Sequence, residues 1–222
     1  MGQASPALSK GYAMKVNDQN ENQDAGSHIL HPGSRQLFRY WESLRAERAC
    51  PDRSEFQLAK MVSIMPNLAI IEQSATGIWN FRLAGTVVCD LLQQPLTGKD
   101  ALSGFDSFER DVISKTFDVS KLRLQPCLVR MRLISTSGTV TPAELIGLPV
   151  LDRVNGKVQL FGGLFALGNA ESAGRTLLLR RELVSARVIW TEHENANSLM
   201  EKIGRKATPL RVIEGGLSQP KR

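Results

Sequence analysis

The chain has 222 residues, 42% hydrophobic and 23% charged, so it can bury a core without disulfide staples. Its cysteines, Cys50, Cys89 and Cys127, are odd in number and widely spaced with no Cys-x-x-Cys pair. That argues against a disulfide framework and a zinc ribbon, and fits reduced thiols in a cytoplasm. The start MGQASPALSKGYAMK has no apolar signal core, and no stretch approaches the roughly 20 apolar residues of a spanning helix. A soluble cytoplasmic protein is expected.

The net charge of +6 is uneven. Residues 175–222 carry 10 Lys/Arg against 5 Asp/Glu, whereas 33–174 carry 16 against 14 and 1–32 carry 2 against 3. The positives of the last segment are interleaved with Glu192, Glu194 and Glu201. A solvated surface therefore explains them more simply than a grip on nucleic acid or anionic lipid.

In chain order, residues 1–32 are rich in Asn, Gln, Ser and Gly and poor in large apolar groups, so they read as a disordered tail. Leu37, Trp41 and Leu44 follow the i, i+4, i+7 spacing, with Phe38 beside them, and predict a helix over Ser34–Ala49. Ser54 reads as the N-cap of a second helix, Glu55–Met65, which Pro66 stops. Asn67–Glu72, the turn Ser74–Gly77 and Ile78–Leu83 then read as a hairpin, with Trp79, Phe81 and Leu83 on one face. Thr86–Gln93 is a short helix, and Asp106 with Glu109 forms a capping box for the next, which carries Phe108, Val112, Ile113 and Phe117. Three strands follow: Cys127–Ile134, Ala143–Leu151 and Val158–Leu167, the last two joined through Asn155-Gly156. Ala143–Leu151 is apolar on both faces, and Pro149 is expected at a bulge or an unpaired edge position. Gly162-Gly163 inside a strand pattern points to close backbone approach or a bulge. Hairpin links imply an antiparallel sheet, and the intervening helices must cover one of its faces.

Several pieces of the chain are similar to a known family. They are Phe38-Arg39-Tyr40-Trp41-Glu42-Ser43-Leu44-Arg45, Trp79-Asn80-Phe81-Arg82-Leu83-Ala84-Gly85-Thr86, Leu96-Thr97-Gly98-Lys99, Glu144-Leu145-Ile146-Gly147-Leu148-Pro149-Val150, and the ending Leu210-Arg211-Val212-Ile213-Glu214-Gly215-Gly216. In this order they resemble the alphaproteobacterial subfamily of small stand-alone PAS-domain proteins, which includes a motility and cell-cycle regulator. The resemblance covers residues 33–168 well and the remainder loosely. It implies an α+β fold: a five-stranded antiparallel PAS sheet with helices over one face, preceded here by extra N-terminal helices. It also implies signalling by protein contact, often as a homodimer. The expected organisation is a tail over 1–32, a PAS-like domain with its helical extension over 33–168, and a basic extension over 169–222.

The residues offer little for catalysis. The histidines are His28, His31 and His193, so none lies between Pro32 and Glu192 to act as a general base or haem ligand in the core. Cys89 lacks the Asn-Cys-Arg-Phe-Leu-Gln context of flavin-bonding PAS domains. His28 and His31 read as solvated polar residues rather than metal ligands. No catalytic residue, metal or cofactor is therefore assigned, and no enzyme is expected. Trp79, Phe81, Leu83, Leu91, Phe117, Met131 and Leu148 either fill the core or line a hollow between sheet and helices, and simple packing is the plainer account. Leu37, Phe38, Trp41 and Leu44 are the candidate docking residues for a homodimer mate or a signalling partner. Three functions follow: a sensor or adaptor acting by protein contact, a small-metabolite-binding regulator, or a nucleic-acid or membrane-surface binder using the basic segment.

Overall fold

The computed structural model describes residues 26–168 and 177–191. Its centre is one six-stranded sheet formed by β1 (Leu68–Gln73), β2 (Trp79–Ala84), β3 (Cys127–Ser135), β4 (Val140–Asp152), β5 (Lys157–Ala166) and β6 (Leu178–Val188). The spatial order is β2-β1-β5-β4-β3-β6, and every pair is antiparallel. Among the described residues the α-helices are α1 (Pro32–Arg45), α2 (Thr86–Leu92) and α3 (Ser107–Arg123). The α+β, PAS-like class expected from the sequence is the one observed.

The sheet carries a sixth strand that the five-strand expectation lacks. β6 comes from the segment read as a basic extension, and it pairs with β3 from Cys127↔Val188 to Ser135↔Leu178. The sequence pattern hides it because the register slips twice, leaving Val184 and Leu179 as extra residues in β-bulges. Each bulge breaks the alternation by which a strand is recognised. The rest of the expected extension, residues 192–222, lies outside the described residues, as do residues 1–25 of the expected tail.

The expected helix Glu55–Met65 is instead a 3-10 turn at Arg53–Glu55 and a 3-10 segment at Leu58–Asn67, broken at Met61. Asp52 rather than Ser54 is the cap. Its side chain accepts from Ser54 N at 2.8 Å, and Glu55 returns a bond from Asp52 N at 2.9 Å. That box closes on a single turn, and Pro66 removes a donor at the other end.

Both faces of the sheet are buried. Ala143 and Leu145 of β4 point to one face, with Val129, Met131, Leu160 and Leu164, beneath α2, α3 and the 95–105 connector. Ile146, Leu148 and Val150 point to the other, with Phe161 and Phe165, beneath α1 and the 3-10 segment. This is why β4 is apolar throughout. The intervening helices α2 and α3 cover one face as expected, and α1, the extra N-terminal helix, packs on the opposite one.

Gly162 sits where three strands meet, opposite Ala69 of β1 and Gly147 of β4. A Cβ there would lie 1.8 Å from the Ile146 carbonyl oxygen. The Gly162-Gly163 pair thus serves close backbone approach, one of the two readings the sequence allowed. Gly162→Ala is expected to cost about 3 kcal/mol or more of stability, since the obstacle is main chain that cannot rotate away. Urea unfolding of the variant checks this, and a midpoint equal to wild type would count against it.

Pro149 is placed as its chemistry requires. The β3 ladder on β4 ends at Gly147, so Pro149 lies beyond it and pairs with Leu160 of β5 alone.

Candidate functional site

The hollow between the sheet and α2–α3 holds a cavity of about 20 Å³, room for about one water. Phe81, Phe117 and Met131, three of the seven residues picked from the sequence, line it. Trp79 and Leu91 belong to the same core but stand back from the cavity. Trp79 is locked in place: its ring meets Phe117 edge-on at 5.4 Å, and Nε1 donates to Asp118 at 3.3 Å.

The other two candidates lie elsewhere. Leu83 is 48% exposed. The β1–β2 register pairs Ile71 with Phe81 but Ile70 with Leu83, so Arg82 is an extra residue. That bulge turns Leu83 out of the face that Trp79 and Phe81 share. Leu148 is fully buried, but in the core on the opposite face. Two-faced burial of β4 makes its parity unreadable from hydrophobicity alone.

Sequence reasoning missed Arg181. Every other side chain lining the cavity is apolar, and β6 brings this guanidinium in among them. Arg181 is 4% exposed. It pairs with Leu133 of β3, whose side chain also faces inward. Nη1 donates to the Ala101 carbonyl at 3.2 Å, while Nε is buried without a partner. Burial pulls its pKa down to about 10, against the opposing influence of Asp100, so the group stays cationic at neutral pH. In the sequence Arg181 is one positive charge among ten in a basic stretch, and its burial shows only once β6 is a strand.

The wall around Arg181 is firmly tied. Glu109 closes the α3 capping box through Asp106 N at 3.1 Å and accepts from Leu183 N of β6 at 2.7 Å. Gln125 accepts from both Thr191 N and its hydroxyl at 2.9 Å, anchoring the chain beyond β6. On the opposite edge, residues 98–101 run along β2, with Ala101 N on Trp79 O at 2.8 Å and Phe81 N on Lys99 O at 2.9 Å.

Of the candidate docking residues, Leu37, Phe38 and Trp41 are buried against the chain's own sheet, and Leu44 is half-buried. In this conformation their apolar surface is spent inside the molecule.

His31 and Cys127 have structural explanations. His31 is half-buried rather than simply solvated. Its ring stacks on Phe165 at 4.5 Å, and Nδ1 accepts from Gly33 N at 3.0 Å, capping α1. Ile29 beside it is fully buried, and Leu30 and His31 donate their backbone N–H groups to Glu144 at 3.0 and 2.9 Å. Order therefore begins before Pro32. Burial pushes the Cys127 thiol up to about 12, so it is a small apolar core group. Among the described residues no cluster of His, Cys, Asp or Glu could hold a metal, and no helix is long and apolar enough to cross a membrane.

A search of curated proteins finds none that matches the chain. The family model described as PAS domain matches residues 29–165, from the buried Ile29 to Phe165 near the end of β5. That span holds β1 to β4, all but the last residue of β5, and α1 to α3. With this match over more than half its length, the chain belongs to the PAS domain family of signalling sensor modules.

Proposed function

We propose that the chain is a sensor–adaptor, which converts the state of its hollow into contact with a signalling protein. One observation carries the reading: β6 belongs to both interior and surface. Arg181 and Leu183 face the core, while the bulged Leu179 and Val184 are 63% and 58% exposed. A shift of Arg181 inside therefore moves apolar groups outside through a single strand. The outer edge of β6 is already engaged, because Leu178 N, Arg181 N and Leu183 N donate to Gln93, Gly104 and Glu109, so a second copy cannot extend the sheet along it. This favours docking of a different protein on side chains over edge-to-edge pairing. The buried face of α1 is thereby replaced as the docking element.

The test compares wild type with a Leu179→Asp, Val184→Asp double variant in capture from the native host. Both sites are exposed, so stability should change by only about 0.5 kcal/mol. Wild type is expected to retain a signalling protein that the variant releases. Equal capture by both would end the proposal, as would a wild-type complex containing only a second copy of this chain.

A further inference from the structure

We propose that the hollow is a binding site for a short organic monocarboxylate, whose anionic end pairs with Arg181 and whose hydrocarbon part lies against the apolar wall. This rests on the sensor reading above and names the class of signal. The guanidinium is a buried cation with no ion pair among the described residues. Asp100, whose charge it feels, is already engaged: Oδ2 receives Arg110 at 2.6 Å, and Oδ1 receives Leu102 N at 2.8 Å. What Arg181 has is one carbonyl and the ring of Phe105, 5.8 Å from Cζ. An uncompensated buried charge is costly, and a planar carboxylate is the counter-ion whose geometry the guanidinium fork matches.

The surroundings select among anions. Phosphate or sulfate would bring more charge than one guanidinium cancels, into a wall without a second polar side chain. A monocarboxylate needs a single cation at one end and offers apolar surface to Ile113, Phe117 and Leu164 at the other. With room for about one water, the cavity has to widen to admit even a few carbons, and the unbranched side chain of Met131 is the wall element best able to yield.

The experiment uses the full chain and the probes acetate, propanoate and butanoate, each beside its carboxamide. Thermal shift and titration calorimetry provide the readout. At least one acid is expected to raise Tm and bind one to one, with a Kd of about 1 mM or tighter, while its carboxamide does not. Arg181→Met should fold, be at least as stable without ligand because a buried charge is gone, and lose the shift. Arg181→Lys keeps the charge without the fork and should bind about ten-fold more weakly. No shift with any acid, or an unchanged shift in Arg181→Met, overturns the proposal. If carboxamides bind as well as acids, the carboxylate class fails while a sensing pocket stands. If an acid binds yet leaves partner capture unaltered, the site stands and the sensor reading fails.

Discussion

Trp41→Ala is expected to lower the free energy of unfolding by about 3–5 kcal/mol, a large part of the roughly 5–15 kcal/mol a domain possesses. Trp41 is 0% exposed and lies between α1 and the sheet. Its ring neighbours Phe38 at 6.4 Å, and the Arg45 guanidinium sits over it at 4.9 Å. Nε1 donates to the Pro149 carbonyl at 2.7 Å in a fully buried bond. Pro149 lies past the end of the β3 ladder, so truncation both opens a cavity and leaves a buried carbonyl without its donor. Trp41→Phe keeps most of the volume and loses the bond, and should cost about 1–2 kcal/mol. Denaturant unfolding with an unchanged slope would separate the two. A Trp41→Ala protein of native stability but altered assembly would return α1 to the role of docking helix.

That contrast shows where sequence reasoning reached and where it stopped. The stripe Leu37, Phe38, Trp41 correctly marked an apolar helix face, but its destination depended on how many cores the sheet supports. Counting one core left α1 spare for a partner. The structure has two, and the run from Ala143 to Leu151 was already apolar enough to build both. Local chemistry was read well: the Asp106/Glu109 capping box, the β1–β2 hairpin and the meander β3–β5 all depend on neighbours in sequence. Bulges were not readable. One extra residue at Arg82 turns Leu83 outward, and two in β6 conceal a strand and the arginine it buries. A bulge is a property of a strand pair that neither strand shows alone, and for β6 the partner β3 lies dozens of residues away.

The second large effect is expected at Glu144, on the sheet face that carries α1. Glu144→Ala should cost about 3–5 kcal/mol, because the carboxylate is wholly buried and answers several donors at once. Oε2 accepts from Leu30 N at 3.0 Å and from Arg130 Nε at 3.2 Å, and Oε1 accepts from His31 N at 2.9 Å. Arg130 also donates to the His28 carbonyl, so a single ion pair holds residues 28–31 against β4. Glu144→Gln gives little relief: both oxygens receive backbone N–H groups, and an amide nitrogen would turn a donor toward one of them. Amide exchange at Leu30 and His31 should accelerate in either variant, and unchanged protection there would refute the clamp.

The same clamp sets a pH dependence. Burial lowers the His31 pKa below its ordinary 6.5, Glu144 pulls it upward and Arg35 pushes it further down. Nδ1 must be unprotonated to cap α1 through Gly33 N. Below pH 6.5 the unfolded chain therefore takes up the proton before the folded one, so this contribution is complete above 6.5 and declines as pH falls toward the folded value. Removing Glu144 takes away the one influence that raises the folded pKa. The variant should then lose stability over a wider span of acid than wild type. Unfolding midpoints at about pH 7.5 and 5.5 provide the comparison, and His31→Asn, which keeps a capping acceptor without the titration, should flatten the slope in either background. A slope indifferent to both substitutions would place the acid response outside this corner of the molecule.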